Sequence, residues 1–304
     1  MDKPKLVAVL IVKNEEQMLA RCLDSLKGID NLYIVDTGSE DNTIEIAKRY
    51  TENVYNDFTW CDDFAKARNH AKDKVQEENA WILSIDADEF LHEGNLNKIR
   101  EAIDEAERKG SLAIDIFLHA ESDGQKHTFP RLFKKHPEVF WIGAVHNHIN
   151  QVPSVLGDVH ITYGYSPAHD KDPGRAFRIL KKEVERTGNP REIFYLGREY
   201  WYRADYKTCA ETMDRYVKVA HFMPEKADAL LILARCYWAM GQGENARQSC
   251  MEAIMINPHF KEAVLFMSTL AGRGSGNPVW EKNGEFWLKA SEISDNTGVL
   301  FVRT

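Results

Sequence analysis

Cysteine is scarce in this chain. Five thiols among 304 residues, Cys22, Cys61, Cys209, Cys236 and Cys250, are scattered and include no C-x-x-C pair. That argues against a disulfide framework and offers no zinc spacing, so the five read as reduced thiols of a cytoplasmic protein. Long hydrophobic runs are also lacking: no stretch reaches the roughly 18 apolar residues of a membrane span. The N-terminus enters a strand pattern directly, without the basic region, apolar segment and small-residue site of a secretory signal. Neither secretion nor a membrane span is expected. Positive charge is short as well, with 39 Lys and Arg against 47 Asp and Glu, a net charge of −8. General nucleic-acid binders need a basic excess to displace counterions, so nucleic acid is disfavoured as a partner.

What is present suits an enzyme of two domains. Leu6 to Val12 is nearly continuous apolar sequence, as in a strand buried on both faces of a parallel sheet. From Glu15 to Leu26, Met18, Leu19, Cys22, Leu23 and Leu26 share one helical face, and Gly28 stops it. Leu32 to Val35 is a second strand, and Ser39 or Asp41 is placed to cap the helix that follows. Trp81 to Ile85 is another apolar strand, ended by Asp86-Ala87-Asp88-Glu89. Strands alternating with helices predict an α/β sheet whose ligands lie beyond the carboxyl ends of the strands. Asn14, Asp36 and Asp86-Ala87-Asp88 fall at those ends.

Beyond about residue 170 the texture becomes all-helical, giving expected domains of 1–170 and 171–304. Leu196-Gly-Arg-Glu-Tyr-Trp201 repeats as Leu233-Ala-Arg-Cys-Tyr-Trp238, and Ala210 recurs as Ala246. This is an internal repeat near the ~34-residue period of tetratricopeptide helix pairs, with Asn257-Pro258 closing the second unit. Ala263 opens a third, degenerate copy. Most of its aromatic and alanine positions are packing. A homo-oligomer formed through this tail is also compatible with the pattern.

Asp86 and Asp88 point to the same side of an extended segment and can face one hard cation, Mg²⁺ or Mn²⁺. Asp36 can accept a hydrogen bond from a base or ribose, although a turn aspartate is an equal reading. Arg68 offers the fork of donors a diphosphate wants, against a default surface ion pair.

Taken in order, Val12-Lys-Asn-Glu-Glu16, Ile34-Val-Asp-Thr-Gly-Ser-Glu-Asp-Asn-Thr43, Phe58-Thr-Trp-Cys-Asp-Asp-Phe-Ala-Lys-Ala-Arg-Asn69 and Asp86-Ala-Asp-Glu89 resemble family-2 inverting glycosyltransferases of GT-A fold. The likeness extends through Arg131-Leu-Phe-Lys134 and Trp141-Ile-Gly-Ala-Val-His146. The tail resembles the tetratricopeptide tail of a subgroup that includes bacteriocin S-glycosyltransferases. The resemblance implies a GT-A domain with a mixed, mostly parallel sheet and a nucleoside-diphosphate sugar, commonly uridine, as donor. It places Val12, Asn14 and Glu15 near the nucleoside, Asp36 on the base and Arg68 near base or phosphate. Asp86 falls on ribose or metal and Asp88 on the metal, with a protein, peptide or saccharide as acceptor.

Two departures concern the acceptor side. Relatives commonly carry Val-His-Glu where this chain has Val145-His146-Asn147, and a carboxamide is no general base. They also place His before the final Tyr-Gly-Tyr, where Thr162 stands here. His160, two residues earlier and on the same strand face, is the expected substitute as third metal ligand. His146, His148 and Asp123 are the base candidates. Competing readings are a phage-type transferase acting on a hydroxymethylated DNA base, and an inactive transferase fold serving its helical repeats.

Overall fold

The computed structural model describes residues 3–122, 126–273 and 276–294. Contacts divide the chain into two compact units, Met1–Ala176 and Phe177–Thr304. The division falls just inside a helix, slightly beyond the 170/171 boundary suggested by sequence texture.

The first unit opens with β1 (Lys5–Val12), α1 (Leu19–Ser25), β2 (Asn31–Asp36), α2 (Thr43–Ala47), β3 (Val54–Tyr55), α3 (Phe64–Asp73) and β4 (Ala80–Ser84). It continues with β5 (Glu89–Leu91), α4 (Asn95–Lys109), β6 (Ala113–Ala120), β7 (Lys126–Lys134), β8 (Trp141–Ile142), β9 (His148–Ile149) and β10 (Ser154–Tyr163). Eight strands form one sheet in the order β3-β2-β1-β4-β7-β6-β10-β5. The pairs from β3 to β4 are parallel, as is β10 with β6. β7 runs antiparallel between β4 and β6, and β5 is antiparallel to β10. The sheet is therefore mixed and mostly parallel, as expected.

Burial on both faces explains the unbroken apolar β1. Leu6, Ala8, Leu10 and Val12 join Leu19, Leu23, Ile99 and Ile103 in one cluster, while Val7 and Val9 join Ala65, Ala71 and Val75 in another. Gly157 allows close packing of α4: a Cβ there would lie 2.9 Å from Ile114 Cγ2 and 3.1 Å from Ala102 Cβ. Trp81 is fully buried on β4, and its indole N–H donates to Glu107 Oε1 at 2.7 Å.

Two expected helix starts differ. The helix predicted from Glu15 begins only at Leu19, because the amides of Glu15 and Glu16 are engaged by Thr43 Oγ1 (2.7 Å) and Asp41 Oδ2 (3.3 Å). Those bonds hold residues 15–18 in a turn. Neither Ser39 nor Asp41 is the cap residue of α2. That position is Asn42, whose side chain donates to Glu16 Oε2 at 2.7 Å instead of capping the helix, while Asp41 accepts from Thr43 N at 3.0 Å and Ser39 Oγ accepts from Asn14 N at 2.8 Å.

In the second unit, α5 (Arg175–Thr187) leads into α6 (Pro190–Tyr202), α7 (Tyr206–Val219), α8 (Met223–Ala239), α9 (Gly243–Ile256), α10 (Lys261–Leu270) and α11 (Pro278–Glu292). From α6 to α11 each helix packs against the next, the arrangement of a tetratricopeptide-like array. The sequence repeat falls on α6 and α8, the first helices of two pairs. Ala210 and Ala246 are buried at matching depth in α7 and α9, and Ala263 is buried in α10.

Replacing Trp81 by Ala should lower the stability of the first unit by about 3–5 kcal/mol, the range for truncating a buried aromatic. Urea unfolding followed by circular dichroism measures it; a loss below about 1 kcal/mol would mean that the site collapses around the deletion.

Candidate active site

The carboxyl ends of β1, β2 and β4 meet as the sheet register requires. Val12 pairs with Asp36, and the Val12 carbonyl accepts from Thr37 N at 2.9 Å and Thr37 Oγ1 at 3.1 Å. Asn14 follows in the left-handed region, φ 56°, and its side-chain oxygen accepts from Glu40 N at 2.8 Å. The two loops therefore brace one another.

Asp36 is buried. Its Oδ2 accepts from Gly38 N at 2.9 Å and Ser39 N at 3.0 Å, while Oδ1 is buried without a partner among the described residues. A bare buried acceptor is costly unless a ligand N–H or O–H completes it.

Asp86 sits between two arginines. Arg68 Nη2 lies 2.6 Å from Oδ1 and Arg131 Nη2 lies 3.0 Å from Oδ2. Arg131 also reaches Glu89 Oε1 at 2.7 Å, and Glu89 Oε2 accepts from Asp86 N at 2.8 Å. Burial alone would raise the Asp86 pKa, but the two guanidinium charges outweigh it and hold Asp86 well below the carboxylate range. Burial and the charges of Asp86 and Asp88 push Glu89 up, against the pull of Arg131. The sequence pattern pointed to Arg68 as a diphosphate fork or a surface pair. It is instead buried and bonded to Ser84 Oγ (3.1 Å) and Asp86, with Nε left over.

Asp88 is different. It has no Lys or Arg ion pair among the described residues, and burial together with Asp86 raises its pKa. Of the charges that oppose this rise, His169 is the larger contributor and Arg131 the smaller. His169 lies in the 3₁₀ turn Pro167–Lys171, capped by Ser166. Ser166 Oγ donates to Glu15 Oε2 at 2.6 Å. Burial pushes the Glu15 carboxyl up to about 7, Ser166 pulling it down while Asp88, Asp86 and Asp41 add to the rise. Asp86, Asp88, Glu15 and Glu89 thus gather four carboxyl groups around the two guanidiniums of Arg68 and Arg131, oxygen donors of the kind that suit a hard divalent cation.

His160 is placed elsewhere. Its Nδ1 lies 2.7 Å from His119 Nε2 and its Nε2 lies 2.8 Å from Asp158 Oδ1, while Thr162 Oγ1 lies 2.6 Å from His92 Nε2. The two residues do share a strand face, but that face carries a histidine cluster of its own. What the strand end brings to Asp88 is Gly164, whose N–H donates to the Asp88 carbonyl at 2.8 Å. Among the described residues no three His, Cys, Asp or Glu side chains converge as a ready metal cage.

The base candidates separate too. Asn69 of α3 grips β8 with both amide atoms, Nδ2 to Trp141 O at 2.9 Å and Oδ1 from Trp141 N at 2.8 Å. This fixes the β8–β9 turn, where His146 has φ 49°. His146 and Asn147 line a cavity of about 290 Å³ with Arg68, Arg131, His127 and Phe129. His148 is half-buried on β9, and Asp123 lies outside the described residues. Arg131 and Glu89 fall within sequence motifs but carry no role readable from them, and His169 falls in none; Arg131 reaches Asp86 and Glu89 only through pairing distant in sequence.

Residues 7–141 match the family model "Glycosyl transferase family 2". Glycosyltransferase SunS of Bacillus subtilis is 27% identical over 222 residues, covering 65% of this chain and 50% of that protein. A TPR repeat-containing protein of Synechococcus elongatus is 35% identical over 133 residues, covering 43% of this chain and 32% of its own length. The chain thus spans between a third and a half of the length of these curated relatives. The crystal structure of S. aureus TarS 1-349 aligns at a TM-score of 0.43 with 13% identity, covering 95% of this chain and 90% of that one.

A carboxyl raised to about 7 binds a proton in the folded state that the unfolded chain, with an ordinary value of 4.5, has released. Stability should therefore fall as pH rises from about 4.5 to 7 and level off above. In chelator-treated protein, Glu15→Gln should flatten part of that fall. Identical melting-temperature profiles for the two proteins between pH 5 and 8 would contradict it.

Proposed function

We propose that this chain, whose first unit carries a glycosyl transferase family 2 domain over residues 7–141, transfers sugar from a nucleoside-diphosphate donor in a metal-dependent, inverting reaction. The donor is a uridine diphosphate hexose or N-acetylhexosamine, and the acceptor a protein, peptide or saccharide. Asp88 carries this reading: a half-buried carboxylate with no Lys or Arg ion pair among the described residues, set among further carboxylates, is best explained by a cation it is built to receive.

Asp88, with Asp86 and His169 beside it, would hold Mn²⁺ or Mg²⁺. We place His169 rather than His160 in the third position, because its charge is felt at Asp88 whereas His160 is engaged by His119 and Asp158. When bound, such a cation neutralises a departing diphosphate. The free Oδ1 of Asp36 accepts an N–H of the base, and the braced loop of Val12, Asn14 and Glu15 frames the nucleoside. Arg68 and Arg131 keep Asp86 ionised and present positive charge to the same cavity.

His146 is the best-placed acceptor-side base, since it lines the cavity that Arg68 and Arg131 also line. A neutral imidazole there takes the acceptor's proton as the nucleophile attacks the anomeric carbon opposite the leaving diphosphate. One displacement inverts the configuration. His148 and Asp123 remain the alternatives for this role. The tetratricopeptide-like unit is read as a docking element, and the acidic net charge leaves a DNA base the disfavoured acceptor.

Thermal shifts with uridine, guanosine and thymidine diphosphates, with and without Mn²⁺, should show a metal-dependent rise for uridine diphosphate. Asp36→Ala should weaken that binding about tenfold or more, the worth of a charge-assisted hydrogen bond. Asp88→Ala should abolish metal-dependent release of uridine diphosphate, and full turnover in that variant would sink the reading. His146→Gln should leave nucleotide binding intact and slow transfer by about 10²–10⁴.

A further inference from the structure

A departing diphosphate gathers negative charge, and the planar fork of an arginine is well shaped to receive it. The two arginines that line the cavity are turned onto protein groups instead. Arg68 donates from Nη1 to Ser84 Oγ and from Nη2 to Asp86 Oδ1, while Arg131 Nη2 is shared between Asp86 Oδ2 and Glu89 Oε1. Their forks hold carboxylates in place. The diphosphate role for which the sequence offered Arg68 is thereby left open.

Arg175 is placed to take it. The segment from Ser166 to Arg175 passes three parts of the site in the order nucleoside, cation, cavity, which is the order of nucleoside, diphosphate and sugar in a donor. Ser166 bonds Glu15 in the loop proposed to frame the nucleoside, and the charge of His169 is felt at Asp88. Arg175 then lies over the ring of Phe64, its guanidinium carbon 5.1 Å from the centroid. Phe64 lines the cavity with Arg68, Arg131 and His146, and its amide is anchored on the Ala144 carbonyl at 2.9 Å. Arg175 belongs to the first unit and is half-buried, and its side chain makes no hydrogen bond or ion pair among the described residues. Stacking engages the face of a guanidinium and leaves its N–H donors, which lie in the plane, to an anion. Phe64 thus steadies the fork without occupying it.

We propose that Arg175 binds the terminal phosphate of the donor's diphosphate, the phosphate that bears the sugar and leaves with the nucleotide. This rests on the nucleoside-diphosphate reading above and names the residue that receives its leaving group. The bond between the anomeric carbon and the phosphate oxygen breaks with its electron pair staying on that oxygen. The acceptor forms its bond to the same carbon and gives its proton to the acceptor-side base. Arg175 stays protonated throughout, so it acts by charge and by hydrogen bonds to the phosphate oxygens. Its interactions strengthen as that charge develops, which is where a fixed donor lowers a barrier.

Isothermal titration calorimetry of the full chain with uridine diphosphate and with uridine monophosphate, both in Mn²⁺, tests it. Arg175→Gln should weaken the diphosphate by about tenfold or more, the worth of a lost charge-assisted hydrogen bond, and leave the monophosphate within about threefold. Arg175→Lys keeps the charge without the planar fork and should fall between the two. Melting curves of each variant establish that it is folded. Unchanged diphosphate affinity in the folded Arg175→Gln protein would overturn the assignment. An equal loss for both nucleotides would overturn it too, by moving the effect to the nucleoside or the fold. If the unsubstituted chain bound neither nucleotide, the donor reading itself would fall and the assignment with it.

Discussion

The first unit is organised around the pairing of Asp86 with Arg68 and Arg131. Each partner comes from a different element: Asp86 from the end of β4, Arg68 from α3 and Arg131 from β7. Glu89, at the start of β5, closes the group through Arg131 and the Asp86 amide. Removing any one member would leave the others charged in a buried place, a loss of about 3–5 kcal/mol in comparable cases. The helix layer, the strand ends and the inserted antiparallel strand are therefore held in one relation. These four side chains largely satisfy each other, whereas Asp88 and Glu15 lie beside them with raised carboxyl values that come first from burial and then from the neighbouring carboxylates.

Local pattern revealed much of this architecture. The apolar runs ending at Val12, Asp36 and Ile85 located three strands, because burial on both faces demands unbroken hydrophobicity there. Their register then brings Asp36 and Asp86 to one end of the sheet. Local pattern could not reveal where β7 inserts, since pairing order is not encoded in the period of a strand. Without that insertion Arg131 has no evident connection to Asp86. His160 shows the complementary limit: period-two reasoning placed it correctly on the face of Thr162, but which groups stand opposite is decided by β6 and β5, with His119 and His92. His169 carried no periodic signal, because a short turn has none.

The helical unit follows a simpler logic. A repeated Leu-x-Arg-x-Tyr-Trp motif predicted repeated helix pairs, and Ala210, Ala246 and Ala263, which extended the repeat in the sequence, are all buried in the structure. The repeat also copies its unusual features. The same register that copies packing residues copies Arg198 as Arg235 and Glu225 as Glu262, so an arginine and the carboxylate whose charge it feels recur together.

The bond from Ser166 to Glu15 links residues 151 positions apart and fastens the loop after β1 to the last turn of the unit. During synthesis the N-terminal strands emerge long before that turn does. The loop after β1 can thus be braced by its neighbour at Ser39 and Thr43 early, but reaches its final packing only when the chain has been made beyond Ser166. The earliest and latest segments of the domain are completed by one hydroxyl, which ties the maturation of the pocket to near-complete translation of the domain.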